Sequence, residues 1–238
     1  DEDGYQMITK WGEQGSIDLD EDNRELFEAL QQRDYIVKDK AEEESIVSQL
    51  FETLNQSHQG LKDRIDPLIL LTYDCNFRCP YCYEAALMDK GKDWFNHRIT
   101  PEMAHALFEH FDKYEMEQLT LYGGEPLLPK NMDTVKEILK YADKRGVKIN
   151  IITNGYYLDK YAPLLSQYNI TKIQITLDGN KERHNSTRYL ANQKGTFDKI
   201  IANIKLAREY DLPVFVRCNA DIEDPQQVYD LMKTFDQA

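Results

Sequence analysis

The chain has 238 residues with 42 acidic side chains against 29 basic, a formal net charge of −13, and 41% hydrophobic composition. That length and apolar share fit one large domain, or a domain with a small extension. The negative balance argues against a broad surface for nucleic-acid backbones or anionic membranes; no apolar run approaches the roughly 20 residues of a membrane span, and no signal-like start is present, so the cytoplasm is the expected compartment.

Residues 1 to about 65 are strongly acidic and carry no motif. Leu26, Phe27 and Leu30 are spaced for one helical face, and Ile46, Val47, Leu50, Phe51 and Leu54 for a clearer one. Tyr35-Ile36-Val37 between them reads as a short strand. A mainly helical extension over 1–65 is expected, either a cap packed on the main domain or a peptide-recognition element. The acidic runs at Asp18 to Asp22 and Glu42 to Glu44 read as solvated faces and first-turn charges.

From Pro67 onward short β-rich runs alternate with amphipathic helices, which implies parallel strands joined by crossover helices over 66–238. The strands fall at Leu68–Tyr73, Gln118–Tyr122, Lys148–Thr153, Lys172–Leu177 and Pro213–Asn219. Thr100-Pro101-Glu102 opens a helix with a good cap and a first-turn proline, carrying Met103, Leu107, Phe111 and Tyr114 on one face. Met132, Val135, Leu139 and Ala142 mark the next, closed near Gly146. Leu158, Tyr161, Leu165 and Tyr168 mark a third, Phe197, Ile200, Ile201 and Ile204 a fourth, and Val228, Leu231, Met232 and Phe235 a last one opened by Asp224-Pro225. Such units curl into a barrel or open into a doubly wound sheet, and periodicity does not choose between them. In both, ligands gather at the carboxyl ends of the strands. Cys75, Gly123-Gly124-Glu125, Thr153-Asn154-Gly155, Thr176 with Asp178, and Arg217 with Asn219 all fall there.

Three of the four cysteines, Cys75, Cys79 and Cys82, share one loop after the first strand. Three soft thiolates on one loop suit a soft metal. A four-iron cluster held by three cysteines keeps one iron open, whereas zinc needs a fourth ligand, for which His97 or His58 is available. Cys218 alternates with Arg217 and Asn219, so it points to the helices as a buried thiol when they point inward. Gly123-Gly124-Glu125-Pro126 offers two positions for close backbone approach and a carboxylate. On the fourth strand Ile173, Ile175 and Leu177 share one face and Gln174, Thr176 and Asp178 the other, a polar interior face that is costly unless occupied.

The Cys-x-x-x-Cys-x-x-Cys spacing with Tyr81 before its last cysteine, followed by Gly-Gly-Glu-Pro and by Ile175-Thr176-Leu177-Asp178-Gly179, resembles the signature of radical S-adenosylmethionine enzymes. The resemblance covers residues 67–238 and implies a partial (β/α)6 TIM-like barrel with five βα units visible. It implies a [4Fe–4S] cluster on Cys75, Cys79 and Cys82, with S-adenosylmethionine beside it. Carried over by position, Tyr81 contacts adenine through backbone atoms, and Glu125 with Gly123 and Gly124 meets the methionine amino group. Thr176 meets the ribose or carboxylate region, Arg188 the carboxylate, and Asn154 is a secondary contact. His184 resembles the family's histidine after the Asp-Gly turn, and Tyr83 faces substrate. The implied reaction is reductive cleavage to a 5′-deoxyadenosyl radical that takes hydrogen from a substrate, with electrons from a donor such as flavodoxin or ferredoxin. No acid–base pair is assigned.

Within the family the chain looks like the peptide and protein maturases, implying ribosomal-peptide maturation by a thioether or other side-chain crosslink. A formylglycine-forming enzyme like the anaerobic sulfatase maturases, or a non-catalytic cluster- or zinc-binding scaffold, are the alternatives. Those maturases continue into a cysteine-rich SPASM domain, so the chain is expected to be a fragment lacking it and the sixth strand.

Overall fold

The computed structural model describes residues 2–59, 63–84, 93, 96–220 and 224–236. They fall into two compact units, Asp1–Lys62 and Asp63–Ala238.

The first unit holds α1 (Glu2–Gln14), α2 (Arg24–Gln31) and α3 (Lys40–Gln59). Trp11 of α1, buried, meets the ring of Phe27 edge-on at 6.5 Å. Helix α1, not among the helices expected from the sequence, carries Tyr5, Met7, Ile8 and Trp11 as its large apolar residues. The strand expected at Tyr35-Ile36-Val37 is absent: Asp34 takes φ 60°, and the Tyr35 amide returns to the Leu30 carbonyl at 3.0 Å. Those residues come after a reversal and pair with no strand among the described residues, so β propensity is overridden. The apolar row of α3 exists, with Val47, Leu50, Phe51 and Leu54 between 43% and 61% exposed.

The second unit is built on a parallel sheet of β1 (Leu68–Leu70), β2 (Gln118–Tyr122), β3 (Lys148–Thr153), β4 (Ile170–Leu177) and β5 (Val214–Cys218). Their spatial order is their sequence order. A doubly wound sheet reverses order at a switch point, so this is the arc of a barrel. The first strand is shorter than expected: Leu71 donates to the Tyr122 carbonyl at 2.8 Å, but Thr72 already bridges antiparallel to Arg98.

Alternation along the strands sorts the side chains by face. Leu119, Leu121, Ile149, Ile151, Ile173, Ile175 and Leu177 are fully buried in the core. Each such side chain contributes about 2 kcal/mol of burial. Helices α4 (Pro101–Phe111), α5 (Met132–Arg145), α6 (Leu158–Leu165), α8 (Phe197–Glu209) and α9 (Gln226–Asp236) cross between or follow these strands. A seven-residue α7 (Lys181–Thr187) follows β4. Thr100 caps α4 by accepting from the Met103 amide, and Gly146 ends α5 at φ 68°. The inward face of α4 is rotated from the expected one: Ala104 and Phe108 are buried, while Met103 is 53% exposed. Phe108 stacks on Tyr141 of α5 at 4.0 Å, and that contact fixes the rotation. The opposite face of the sheet carries Tyr122, Gln174, Thr176 and Arg217 into a cavity.

Candidate active site

The cavity, of about 750 Å³, lies at the carboxyl ends of the strands. Cys75, Cys79 and Cys82 all line it as free thiols, and Cys218 does not. Cys218 packs against the core, as do the inner sides of Cys75 and Cys79. Burial pushes the Cys75 and Cys79 thiols up from their ordinary range, and for Cys79 the Arg188 charge opposes it. A thiolate at Cys75 therefore needs a cation such as a metal.

The cysteine loop is held to the sheet from two sides. On the β2 side, Gly124 donates to the Thr72 carbonyl at 2.7 Å and Glu125 to the Asp74 carbonyl at 2.8 Å. A Cβ on Gly124 would stand 2.4 Å from the Asp74 oxygen, and one on Gly123, at φ 133°, 2.5 Å from that of Thr72. The close approach these glycines permit is thus that of the chain's own backbone, although both also line the cavity. Lys130 pairs with Asp74 at 2.6 Å and braces the same contact.

Glu125 is fully buried and does not line the cavity. Its carboxylate accepts from Thr153 Oγ1 at 2.6 Å, the Leu127 amide at 2.9 Å and the Asn154 amide at 2.7 Å. Burial raises its pKa, with these three donors pulling the other way. Glu125 therefore ties the glycine loop to the end of β3. Asn154 lines the cavity and sends its side-chain amide to Asn76 Oδ1 at 2.9 Å, inside the cysteine loop.

On the β4 side backbone and side chains both take part: Arg78 donates to the Tyr189 carbonyl at 2.9 Å and Ala191 to the Asn76 carbonyl at 3.0 Å, so that Phe77 bridges antiparallel to Leu190, and a side-chain network lies beside them. The Tyr81 hydroxyl donates to the Asp178 carboxylate and accepts from Arg188 Nη1 at 2.9 Å. Asp178 also accepts from Thr187 Oγ1 at 2.9 Å and Asn219 Nδ2 at 3.0 Å. Burial pushes the Tyr81 phenol up to about 12, so it stays a donor. Arg188 lies over the Phe77 ring at 5.7 Å, and its Nε is buried without a partner. Thr176 lines the cavity between these groups.

His184 is fully buried below this network. Its Nδ1 accepts from the Asp178 amide at 3.3 Å, and its Nε2 lies 3.0 Å from Thr196 Oγ1, which donates to the Arg188 carbonyl at 2.6 Å. Nε2 therefore carries the hydrogen. Burial, with the Arg188 charge, lowers its pKa to about 4, so the ring is a neutral brace.

Six of the seven residues expected to contact the cofactor, Tyr81, Gly123, Gly124, Asn154, Thr176 and Arg188, thus share one cavity with the three cysteines, and Glu125 stands behind its wall. Sequence reasoning misses Glu84, which is 2% exposed, lines the cavity and accepts from the Tyr83 hydroxyl at 3.1 Å. Burial raises its pKa. The signal available is its place two residues after the last cysteine. Tyr83 stacks on Tyr122 with centroids 6.1 Å apart and planes 8° from parallel.

Among the described residues no three His, Cys, Asp or Glu side chains close on one point as a single-ion zinc site requires. His97 does not line the cavity, and the side chain of His58 lies outside the described residues. No helix among them is long and apolar enough to cross a membrane.

The sequence profile of the Radical SAM superfamily matches residues 69–234. A protein of Methanocaldococcus jannaschii, named as a glycyl-radical enzyme activating enzyme, is 29% identical over 71% of this chain and 61% of its own length. For the GTP 3′,8-cyclase of Aliarcobacter butzleri the figures are 28%, 67% and 48%; for the sporulation killing factor maturation protein SkfB of Bacillus subtilis they are 27%, 68% and 37%. The chain thus spans from over a third to three fifths of these relatives. The solved structure of native anSMEcpe with bound AdoMet has the same fold, with a TM-score of 0.61 over 72% of this chain and 48% of that one at 20% identity.

Proposed function

Because the chain belongs to the radical SAM superfamily, whose enzymes use a [4Fe–4S] cluster and S-adenosylmethionine, we propose that its cavity holds both and generates a radical that takes hydrogen from a peptide or protein substrate. The observation that carries this reading is the convergence of three free thiols, the glycine loop and the polar face of β4 on one cavity. When bound, the cluster on Cys75, Cys79 and Cys82 would supply one-electron reductive cleavage of S-adenosylmethionine at its S–C5′ bond.

The residues present fit these groups. Cys75, Cys79 and Cys82 are ligands of the right softness on one loop. Arg188 offers a buried, unpartnered Nε for the cofactor's carboxylate. The Thr176 hydroxyl serves the ribose or carboxylate region, backbone groups of Gly123 and Gly124 serve the amino group, and Tyr81 and Asn154 border the same space. Glu125 acts from behind, by holding the glycine loop and β3 together. An external donor of the flavodoxin or ferredoxin class supplies the electron. Similarity to SkfB, a maturation protein by name, supports a peptide or protein substrate; a side-chain crosslink is the product class we propose.

Anaerobic reconstitution with iron and sulfide, reduction with dithionite, and addition of S-adenosylmethionine test the reading. Expected are a changed electron paramagnetic resonance signal and 5′-deoxyadenosine by chromatography. A well-loaded cluster that neither responds to nor cleaves the cofactor overturns it.

A further inference from the structure

Among the described residues three carboxylates stand at or just behind the cavity, and the chain uses up two of them. Glu125 accepts three hydrogen bonds from its own neighbours, and Asp178 is met by Tyr81, Thr187 and Asn219. Glu84 differs. It is 2% exposed, yet its one hydrogen bond comes from a neutral phenol, Tyr83, and among the described residues it forms no ion pair. The arginines that line the cavity, Arg183, Arg188 and Arg217, belong to α7, its end and β5. Glu84 follows the last cysteine of the loop, and Tyr122 ends β2, which β3 separates from β4. A carboxyl group that accepts a single hydrogen bond has acceptor positions left over, and a ligand ammonium, with three N–H donors, fits them. Beside it stand two stacked tyrosine rings, one of them, Tyr83, 62% exposed, and aromatic faces attract cations.

We propose that Glu84, with the stacked Tyr83 and Tyr122, is a subsite for an ammonium group. The inference rests on the reading of the cavity as the S-adenosylmethionine site, and it leaves two sources for the cation: the amino group of the cofactor, or a lysine side chain of the substrate.

Equilibrium binding to the cluster-loaded chain without reductant separates them, since nothing is turned over. The probes are S-adenosylmethionine, by dialysis, and N-acetyl-lysine methylamide against its norleucine counterpart, by ligand-observed nuclear magnetic resonance. In Glu84→Gln the ammonium-bearing occupant loses about 10-fold in affinity, as expected for one charge-assisted contact. Loss for S-adenosylmethionine alone assigns the subsite to the cofactor; loss of the lysine-over-norleucine preference alone assigns it to substrate. Unchanged affinity for both, with the cluster intact, overturns the proposal. If Glu84→Gln fails to load its cluster, Tyr83→Leu, on an exposed ring, is measured with the same probes, and the same losses or their absence decide. A chain that holds the cluster and cleaves no cofactor under reduction overturns the functional reading, while the binding comparison stays readable.

Discussion

The segments that follow β2 and β4 both hold the cysteine loop by backbone hydrogen bonds, and they differ in what is added to those bonds. After β2 the hold is backbone on backbone: Gly124 lies so near Asp74 that a single carbon has no room, and Glu125 locks the loop to β3 from below. After β4 an antiparallel bridge of Phe77 to Leu190 is joined by a side-chain network, with Tyr81, Asp178 and Arg188 meeting above the His184 brace. Backbone contacts cannot be repacked by a rotamer change, whereas side-chain networks lose one bond at a time. The glycine contact on the β2 side should therefore be the intolerant one, and the Tyr81 network on the β4 side the adjustable one.

Four measurements test that contrast. Gly124→Ala should cost about 3–4 kcal/mol in urea unfolding, because the atom it meets is backbone; a cost under about 1 kcal/mol would erase the distinction. Glu125→Ala should cost about 2–3 kcal/mol by the same assay, since it strands two amides and a buried hydroxyl. The His184 brace should show itself as a pH effect. Its folded pKa, about 4, lies below the ordinary 6.5, so the native state prefers the neutral ring. That stability is fully present above pH 6.5 and falls away towards pH 4, by about 2 kcal/mol between pH 6.5 and 5. Thermal scans should show His184→Gln flattening this slope. Tyr81→Phe should cost about 1 kcal/mol, and the cluster-loaded variant should keep its iron content.

Much of this is legible in the sequence, and the gaps have particular causes. The parallel strands announce themselves through β-rich runs alternating with helical periodicity, and the three cysteines through spacing within one loop. Gly123 and Gly124 are legible as positions of close approach, but what approaches is set by a loop some 50 residues earlier in the chain. The direction of the Glu125 side chain is decided by Thr153, a residue of the neighbouring strand. Helix α7 escapes periodicity because its seven residues, Lys-Glu-Arg-His-Asn-Ser-Thr, carry no apolar repeat; its start comes from the Asn180 cap, whose side chain accepts from the Arg183 amide. Spacing puts Met103 on the core face and the fold leaves it outside, since the stacking of Phe108 on Tyr141 outweighs a flexible methionine.

The sequential strand order also carries a folding consequence. Every ladder in the sheet pairs strands that are neighbours in the chain, so each βα unit adds to its predecessor across a single crossover. The contacts at Tyr81 are of another kind, spanning 107 residues to Arg188 and 138 to Asn219. Loop-closure entropy puts such contacts late. The cysteine loop should thus gain its last constraints after the sheet has assembled, and mutations in the Tyr81 network should speed unfolding while leaving the refolding rate nearly unchanged.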